Sequence, residues 1–301
     1  MSTFDLIPID VRARLKTLRL QARRISGAQG IGQHQSRSRG AGLEFAQYRA
    51  YERGDEPRQI DWKLYARSDK FFVREAERDS PLVVWCLIDA TASMAQTDAA
   101  RPNWSRLDAA KALGACVIEL ALKQGDRFGV IAVNDRSLTI VNVGSGTRHR
   151  DQCLLELHKL TAQGVWPAEA QTRPVWERIG AQTLVLLLSD DYDEACVSLA
   201  ERLAIARREV LSVQILTTEE RDFPFQGGHR FRDTETNTEL LTDAAASRAS
   251  FKEKFADAKL SLGARFAACG INHTEYVLDQ SLDTPLQRFF LPHNSRRQES
   301  A

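Results

Sequence analysis

Leu82 to Ile88 is an unbroken run of seven apolar residues bounded by Pro81 and Asp89. A run of that length without alternation fits a strand buried on both faces, and such a strand needs helices above and below its sheet. The downstream sequence keeps to that requirement. Leu107 to Lys123 has a helical period, Arg127 to Val133 and Leu138 to Val141 read as strands, and Arg150 to Leu160 reads as a helix. Thr183 to Leu188 is a second buried strand, Glu194 to Arg208 a helix and Val210 to Leu216 a third buried strand. Strands alternating with helices predict an α/β fold with a mostly parallel, Rossmann-like sheet covered on both faces. Beyond it, Gly227 to Leu241 reads as a hairpin around the turn residues Asp233 to Asn237. Thr242 is then expected to cap a long helix to about Ala268, followed by a strand from Thr274 to Leu278 and a short helix from Thr284 to Phe290.

Charge is uneven upstream of this pattern. Val11 to Gly40 holds eight Lys or Arg and no acidic residue. Val11, Leu15, Leu18, Ala22 and Ile25 share one face at helical spacing, with Asp10 as N-cap, so residues 1–26 are expected to hold a basic amphipathic helix. Two uses fit it: docking of the apolar stripe on its own domain, or contact of residues 11–26 with an acidic partner or a membrane surface. Five glycines within residues 27–42 read as a flexible linker. Over the whole chain Lys+Arg 41 against Asp+Glu 40 leaves +1, so no global field draws it to nucleic acid or an anionic membrane. No apolar run reaches the ~20 residues that span a bilayer, and the first residues lack the pattern of a signal peptide, which points to a cytoplasmic protein. Cys86, Cys116, Cys153, Cys196 and Cys269 form no C-x-x-C pair and read as buried free thiols.

In an open parallel sheet the binding crevice lies at the carboxyl ends of the strands. The first buried strand runs into Asp89-Ala90-Thr91-Ala92-Ser93 and the second into Ser189-Asp190-Asp191-Tyr192-Asp193. A carboxylate followed by hydroxyls at alternate positions can direct three oxygens inward from one turn, with a further carboxylate from the neighbouring strand. That donor set suits Mg2+ or another hard divalent cation. The same hydroxyls also serve as helix caps in a metal-free protein. Asp89-x-Thr91-x-Ser93 resembles the D-x-S-x-S element of von Willebrand factor A domains, the metal-ion-dependent adhesion site, with Thr in place of the first Ser. The resemblance implies metal ligands at Asp89, Thr91 and Ser93, a threonine from a following loop at Thr147, and Asp190 as the acidic member, with Asp191 as its substitute.

A second string narrows the family. Gly40-x-Gly42-x-Glu44-Phe45, then Arg49-x-Tyr51-x-x-Gly54-Asp55-x-x-Arg58-x-Ile60-Asp61-Trp62 and Ala66-Arg67, is similar to the signature preceding the A-like domain in the bacterial domain of unknown function fifty-eight family. The likeness implies a signature segment at 43–80 packing on a von Willebrand factor A-like domain at 81–291, with a polar tail at 292–301. It also implies a non-enzymatic partner of MoxR-type AAA+ ATPases that acts as adaptor or chaperone for a client protein. Glu44, Arg49, Tyr51, Asp55, Arg58, Asp61, Trp62 and Arg67 either lock the segment by charge-assisted hydrogen bonds around Trp62 or offer arginines to acidic groups of a partner. Two rivals remain. A Mg2+-dependent phosphohydrolase of the haloacid dehalogenase type also places an Asp after its first strand, but needs D-x-D where this chain has Thr91. A metal-free scaffold needs only the caps.

Overall fold

The protein is seen as a computed structural model, which describes residues 6–22, 45–52, 57, 60–76, 81–232, 235 and 238–291, with backbone alone for 45–49 and 74–76. The linker at 27–42, Ile25, Glu44, Asp55, Arg58 and the tail at 292–301 lie outside the described residues. The chain divides into two compact bodies, residues 1–28 with 82–301 and residues 29–81. The first opens with α1 (Ile9–Leu15); the second contains β1 (Phe45–Ala50), α2 (Trp62–Ser68) and β2 (Phe72–Ala76). The first body then resumes with β3 (Val83–Asp89), a 3-10 turn at Ala92–Ala95, β4 (Thr97–Asp98), β5 (Arg101–Ser105) and α3 (Arg106–Gln124). It continues through β6 (Arg127–Val133), β7 (Leu138–Gly144), α4 (Thr147–Lys159), α5 (Glu169–Arg178), β8 (Leu184–Ser189) and α6 (Glu194–Ile205). The last elements are β9 (Glu209–Leu216), α7 (Thr218–Asp222), β10 (Gly228–Arg232), β11 (Glu239–Asp243), α8 (Ala244–Cys269), β12 (Asn272–Val277) and α9 (Thr284–Phe290).

Six strands form the main sheet in the order β12-β9-β8-β3-β6-β7, all parallel except β7, which runs antiparallel to β6. β3 is central, the chain builds outward to β7 on one side, and then crosses to β8 on the other. The crevice at the carboxyl ends of β3 and β8 is therefore the topological switch point, where doubly wound sheets bind their ligands. Alternation along β3 divides the core: Val84, Cys86 and Ile88 pack with α1, α3, α4 and α9, whereas Trp85 and Leu87 pack with α5, α6 and α8. This is the von Willebrand factor A-like arrangement. Four of the five cysteines are buried free thiols, Cys269 being partly exposed.

α3 starts at a capping box in which Ser105 and Asp108 satisfy each other's backbone N–H groups, and ends at Gly125 in the left-handed region (φ 78°). α5 was not legible, because Pro174 sits inside it and interrupts the helical reading. The N-terminal helix is shorter than its apolar period predicts. It stops at Leu15, with Pro8 rather than Asp10 at the N-cap, and Asp10 instead pairs with Arg14 one turn on at 2.8 Å. Beyond Leu15 the chain turns and extends, so that Leu18 and Leu20 enter the core with Val11 and Leu15. Arg14 reaches Asp283 at 2.9 Å, and Gln124 bonds both the N–H and the carbonyl of Leu20. The apolar stripe thus docks on its own domain, the first of the two uses foreseen for it. The hairpin β10–β11 forms as expected, but Thr242 belongs to β11, paired with His229, and Asp243 caps α8.

In the second body β1 and β2 pair antiparallel, with Arg49 opposite Val73. Asp61 caps α2, accepting from the N–H groups of Lys63 and Leu64, and its own N–H donates to the Phe72 carbonyl. Tyr65 stacks on Phe71 with centroids 4.4 Å apart, and Tyr51 and Trp62 lie against the same Phe71 ring. Trp62 is 57% exposed, so it rests on the surface of this cluster instead of anchoring it.

Candidate functional site

Asp89 ends β3 and is buried. Its Oδ1 accepts from the Thr91 N–H at 2.9 Å and the Thr91 hydroxyl at 2.7 Å, and its Oδ2 accepts from the Ser189 hydroxyl at 2.8 Å. Thr91 Oγ1 lies 3.0 Å from Ser93 Oγ. Thr91 stands at the N-cap of the 3-10 turn, yet its side chain caps no backbone N–H there and faces Asp89. The sequence thus brings Asp89, Thr91 and Ser93 together as the D-x-T-x-S spacing implies. Burial, and then the charge of Asp190, push the Asp89 carboxyl up to about 7.

The tandem acids after β8 diverge. Asp190 Oδ2 accepts from Arg106 at 2.8 Å, and the same guanidinium nitrogen lies 3.5 Å from the Ser93 carbonyl. Asp191, in the left-handed region (φ 57°), turns to the Ser212 hydroxyl at 3.0 Å, with its other oxygen buried and unpartnered. Burial is the main cause that pushes Asp191 up to about 8. The acid beside the Ser93 turn is therefore Asp190, and Asp191 points toward β9 and β12.

Thr147 is not part of this group. Because β7 is antiparallel, Leu138 pairs with Val133 at the Asp89 end of the sheet while Gly144 pairs with Phe128 at the far end. Five residues at about 3.4 Å each put the start of α4 roughly 17 Å down the sheet. The loop that does adjoin Asp89 follows α4: the Gln163 N–H donates to the Ala90 carbonyl and the Ala92 N–H to the Gly164 carbonyl, both at 2.9 Å. Gly164 has φ 70°, and a Cβ there would lie 1.7 Å from Asp135 Oδ1, so the close seating of this loop requires glycine.

Four residues that the motifs did not single out surround the site. Arg106, 1% exposed, binds Asp190 and Glu220 together and lies over the Tyr192 ring, 5.5 Å from its centroid. Burial raises Glu220, but the Arg106 charge and hydrogen bonds outweigh it and hold the carboxyl below its ordinary value. Tyr192 donates to Glu220 at 2.7 Å, which ties the loop after β8 to α7. Glu235, between β10 and β11, is the last of them: burial pushes its carboxyl above the ordinary value, and the Ser93 and Thr91 side chains are near enough to oppose that shift.

The donor chemistry fits a hard cation. Octahedral Mg2+ at 2.0–2.1 Å from its ligands sets neighbouring oxygens about 2.9 Å apart, and the Asp89, Thr91 and Ser93 oxygens are spaced 2.7 and 3.0 Å. Among the described residues no group of three or more His, Cys, Asp or Glu side chains is placed to hold a metal, so a cation here depends on the hydroxyls. Among the described residues no helix is long and apolar enough to cross a membrane.

Fold and site together define a von Willebrand factor A-like module with a D-x-T-x-S turn at its sheet switch point. The family model described as Protein of unknown function DUF58 matches residues 47–261, and the chain belongs to that family. Uncharacterized protein Rv1480 of Mycobacterium tuberculosis (strain ATCC 25618 / H37Rv) is 26% identical over 275 residues, 88% of this chain and 84% of that one. Uncharacterized protein Mb1516 of Mycobacterium bovis matches to the same extent. Among solved structures, the conserved hypothetical protein BatB from Bacteroides thetaiotaomicron aligns with a TM-score of 0.44 at 14% identity, over 69% of this chain and 94% of that one. The SpRpn10 VWA domain aligns with a TM-score of 0.40 at 13% identity, over 69% and 95%.

Proposed function

We propose that the protein is a non-enzymatic, cytoplasmic binding module in which Asp89, Thr91 and Ser93, with Asp190 behind them, hold Mg2+ at the switch point. The cation keeps a position that an acidic side chain of a partner completes. The observation that carries this is the Thr91 hydroxyl, which turns from its capping position to join Asp89 and Ser93 in a cluster with cation-ligand spacing. A partner of the MoxR-type AAA+ class, acting with this module on a client protein, is the assembly that the family signature favours. The haloacid dehalogenase alternative lacks its second acid, since Thr91 offers only a hydroxyl hydrogen bond to Asp89 where that chemistry needs a carboxylic acid. A metal-free scaffold is favoured by one feature, the Arg106 guanidinium that already balances Asp190.

Mg2+ titration followed by thermal unfolding separates these readings. At a hundred times its Kd, Mg2+ adds about 2.7 kcal/mol, roughly 5–11 °C in Tm for a chain of this size. D89A is expected to fold, to lose that shift and to lose Mg2+-dependent capture of a purified MoxR-type ATPase. Full retention of both by D89A refutes the metal site, and an EDTA-insensitive capture moves the interface elsewhere.

A further inference from the structure

Between α5 and α6 the surface holds a groove of about 490 Å³, lined by Glu169, Thr172, Arg173 and Trp176 from the first helix and Leu199 and Arg202 from the second. It shares no residue with the Asp89 crevice. Trp176 is half-buried, and the guanidinium groups of Arg202 and Arg208 lie over its ring, 5.3 and 4.4 Å from the centroid. Ile205, one turn beyond Arg202, is exposed. The two helices and the turns that end them carry Arg173, Arg178, Arg202, Arg207 and Arg208. Two carboxylates lie among these, Glu177 paired with Arg173 at 2.8 Å and Glu169 paired with Arg202. Glu194 and Glu201 on α6 are taken up by Arg265 from α8, and Arg207 has no ion-pair partner among the described residues. Five arginines against two glutamates leave three positive charges in excess on this face, in a chain whose net charge is +1.

We infer that the α5–α6 groove is a docking surface for an acidic segment of a partner protein, whose Asp or Glu side chains pair with the arginines while a neighbouring apolar side chain rests against Trp176 and Leu199. The chemistry is that of a protein interface: Trp and Arg carry much of the energy of such contacts, and the planar guanidinium matches a carboxylate fork to fork. Glu169 shows within the molecule that the Arg202 guanidinium takes a carboxylate at this place. The excess charge sets the sign of the partner and draws it in, and the groove between the helices gives the apolar side chain a place to bury. This surface stands apart from the metal reading. It gives the module a second contact, which a protein that joins a partner to a client needs.

The test is calorimetric titration of the full chain, in EDTA so that no metal takes part, with a peptide of repeating Glu-Glu-Leu. The peptide is expected to bind, more weakly as salt rises, and to outbind both Gln-Gln-Leu and Glu-Glu-Gly repeats. R173E/R207E alters two exposed side chains, so it is expected to weaken binding about tenfold while moving Tm by no more than a few degrees. E169Q releases Arg202 from its internal carboxylate and is expected to bind the peptide more tightly, a gain that misfolding cannot produce. D89A is expected to bind like the unaltered protein. Absence of binding to the unaltered protein, equal affinity of R173E/R207E, or equal affinity for the Gln-Gln-Leu peptide overturns the inference. Tighter binding of a single-stranded oligonucleotide than of the acidic peptide also overturns it, because the arginines then serve phosphates.

Discussion

Replacing Arg106 by Met keeps most of the side-chain volume but removes the charge from between Asp190 and Glu220. The guanidinium is 1% exposed and Asp190 is almost as deeply buried, so neither is screened by water as a surface pair is. Breaking a buried ion pair at one partner costs about 3–5 kcal/mol, because a carboxylate is left without its counter-charge. For a chain of this size that is a fall of roughly 6–20 °C in Tm. Urea unfolding followed by tryptophan fluorescence reads the relevant body, since Trp85, Trp104, Trp166 and Trp176 belong to it and only Trp62 belongs to the other. The triple variant R106M/D190N/E220Q is expected to recover most of the loss, to within about 1 kcal/mol of the unaltered protein, because no buried charge is then unpaired. R106M is also expected to show a larger Mg2+-induced shift than the wild type, since the cation then faces an uncompensated Asp190. A cost below about 1 kcal/mol for R106M, the range of an exposed pair, refutes this account.

T147V is expected to leave Mg2+-dependent thermal stabilisation unchanged, and any loss matching that of D89A contradicts the strand register that puts α4 at the far end of the sheet. His273, packed on the Phe266 ring with Asp191 at 4.0 Å, has its pKa lowered by burial, opposed by the Glu275 charge and reinforced by that of Lys259. A base with a lowered folded-state pKa contributes stability above its unfolded value near 6.5 and loses it as pH falls through that value. H273Q is therefore expected to gain unfolding free energy relative to the unaltered protein as the pH falls from about 7 to about 5, by at most about 1.4 kcal/mol per pH unit for the single proton, on top of the opposite trend set by the raised Asp89 and Asp191 carboxyls in both proteins. Identical slopes for the two proteins in urea titrations exclude His273 as the source.

Much of this architecture can be read from the chain because buried strands such as Leu82 to Ile88 and Leu184 to Leu188 have few alternatives in a protein of ordinary charge. Asp89, Thr91 and Ser93 were legible for the same reason: a strand fixes the residue at its end, and alternate positions in the next turn share a side. Thr147 misleads because β6 and β7 look alike in sequence, while the reversal between them, at Asn134 to Ser137, decides which end of the sheet receives α4. Arg106 did leave a signal. A cation in the first turn of a helix opposes the macrodipole, and one placed beside an apolar stretch calls for a carboxylate from elsewhere. Glu235 left none, since an acidic residue in a polar hairpin turn is ordinary until the fold brings it to Thr91.

The tie between Arg14 and Asp283 joins residues 269 positions apart. At ribosomal rates of about 5–20 residues per second, the partner of Arg14 is synthesised roughly 13–54 s after it. The first helix of the chain is thus completed early and clasped late. During that interval Val11, Leu15 and Leu18 depend for cover on β3 and α3, made earlier, and the finished protein adds the clasp from Asp283.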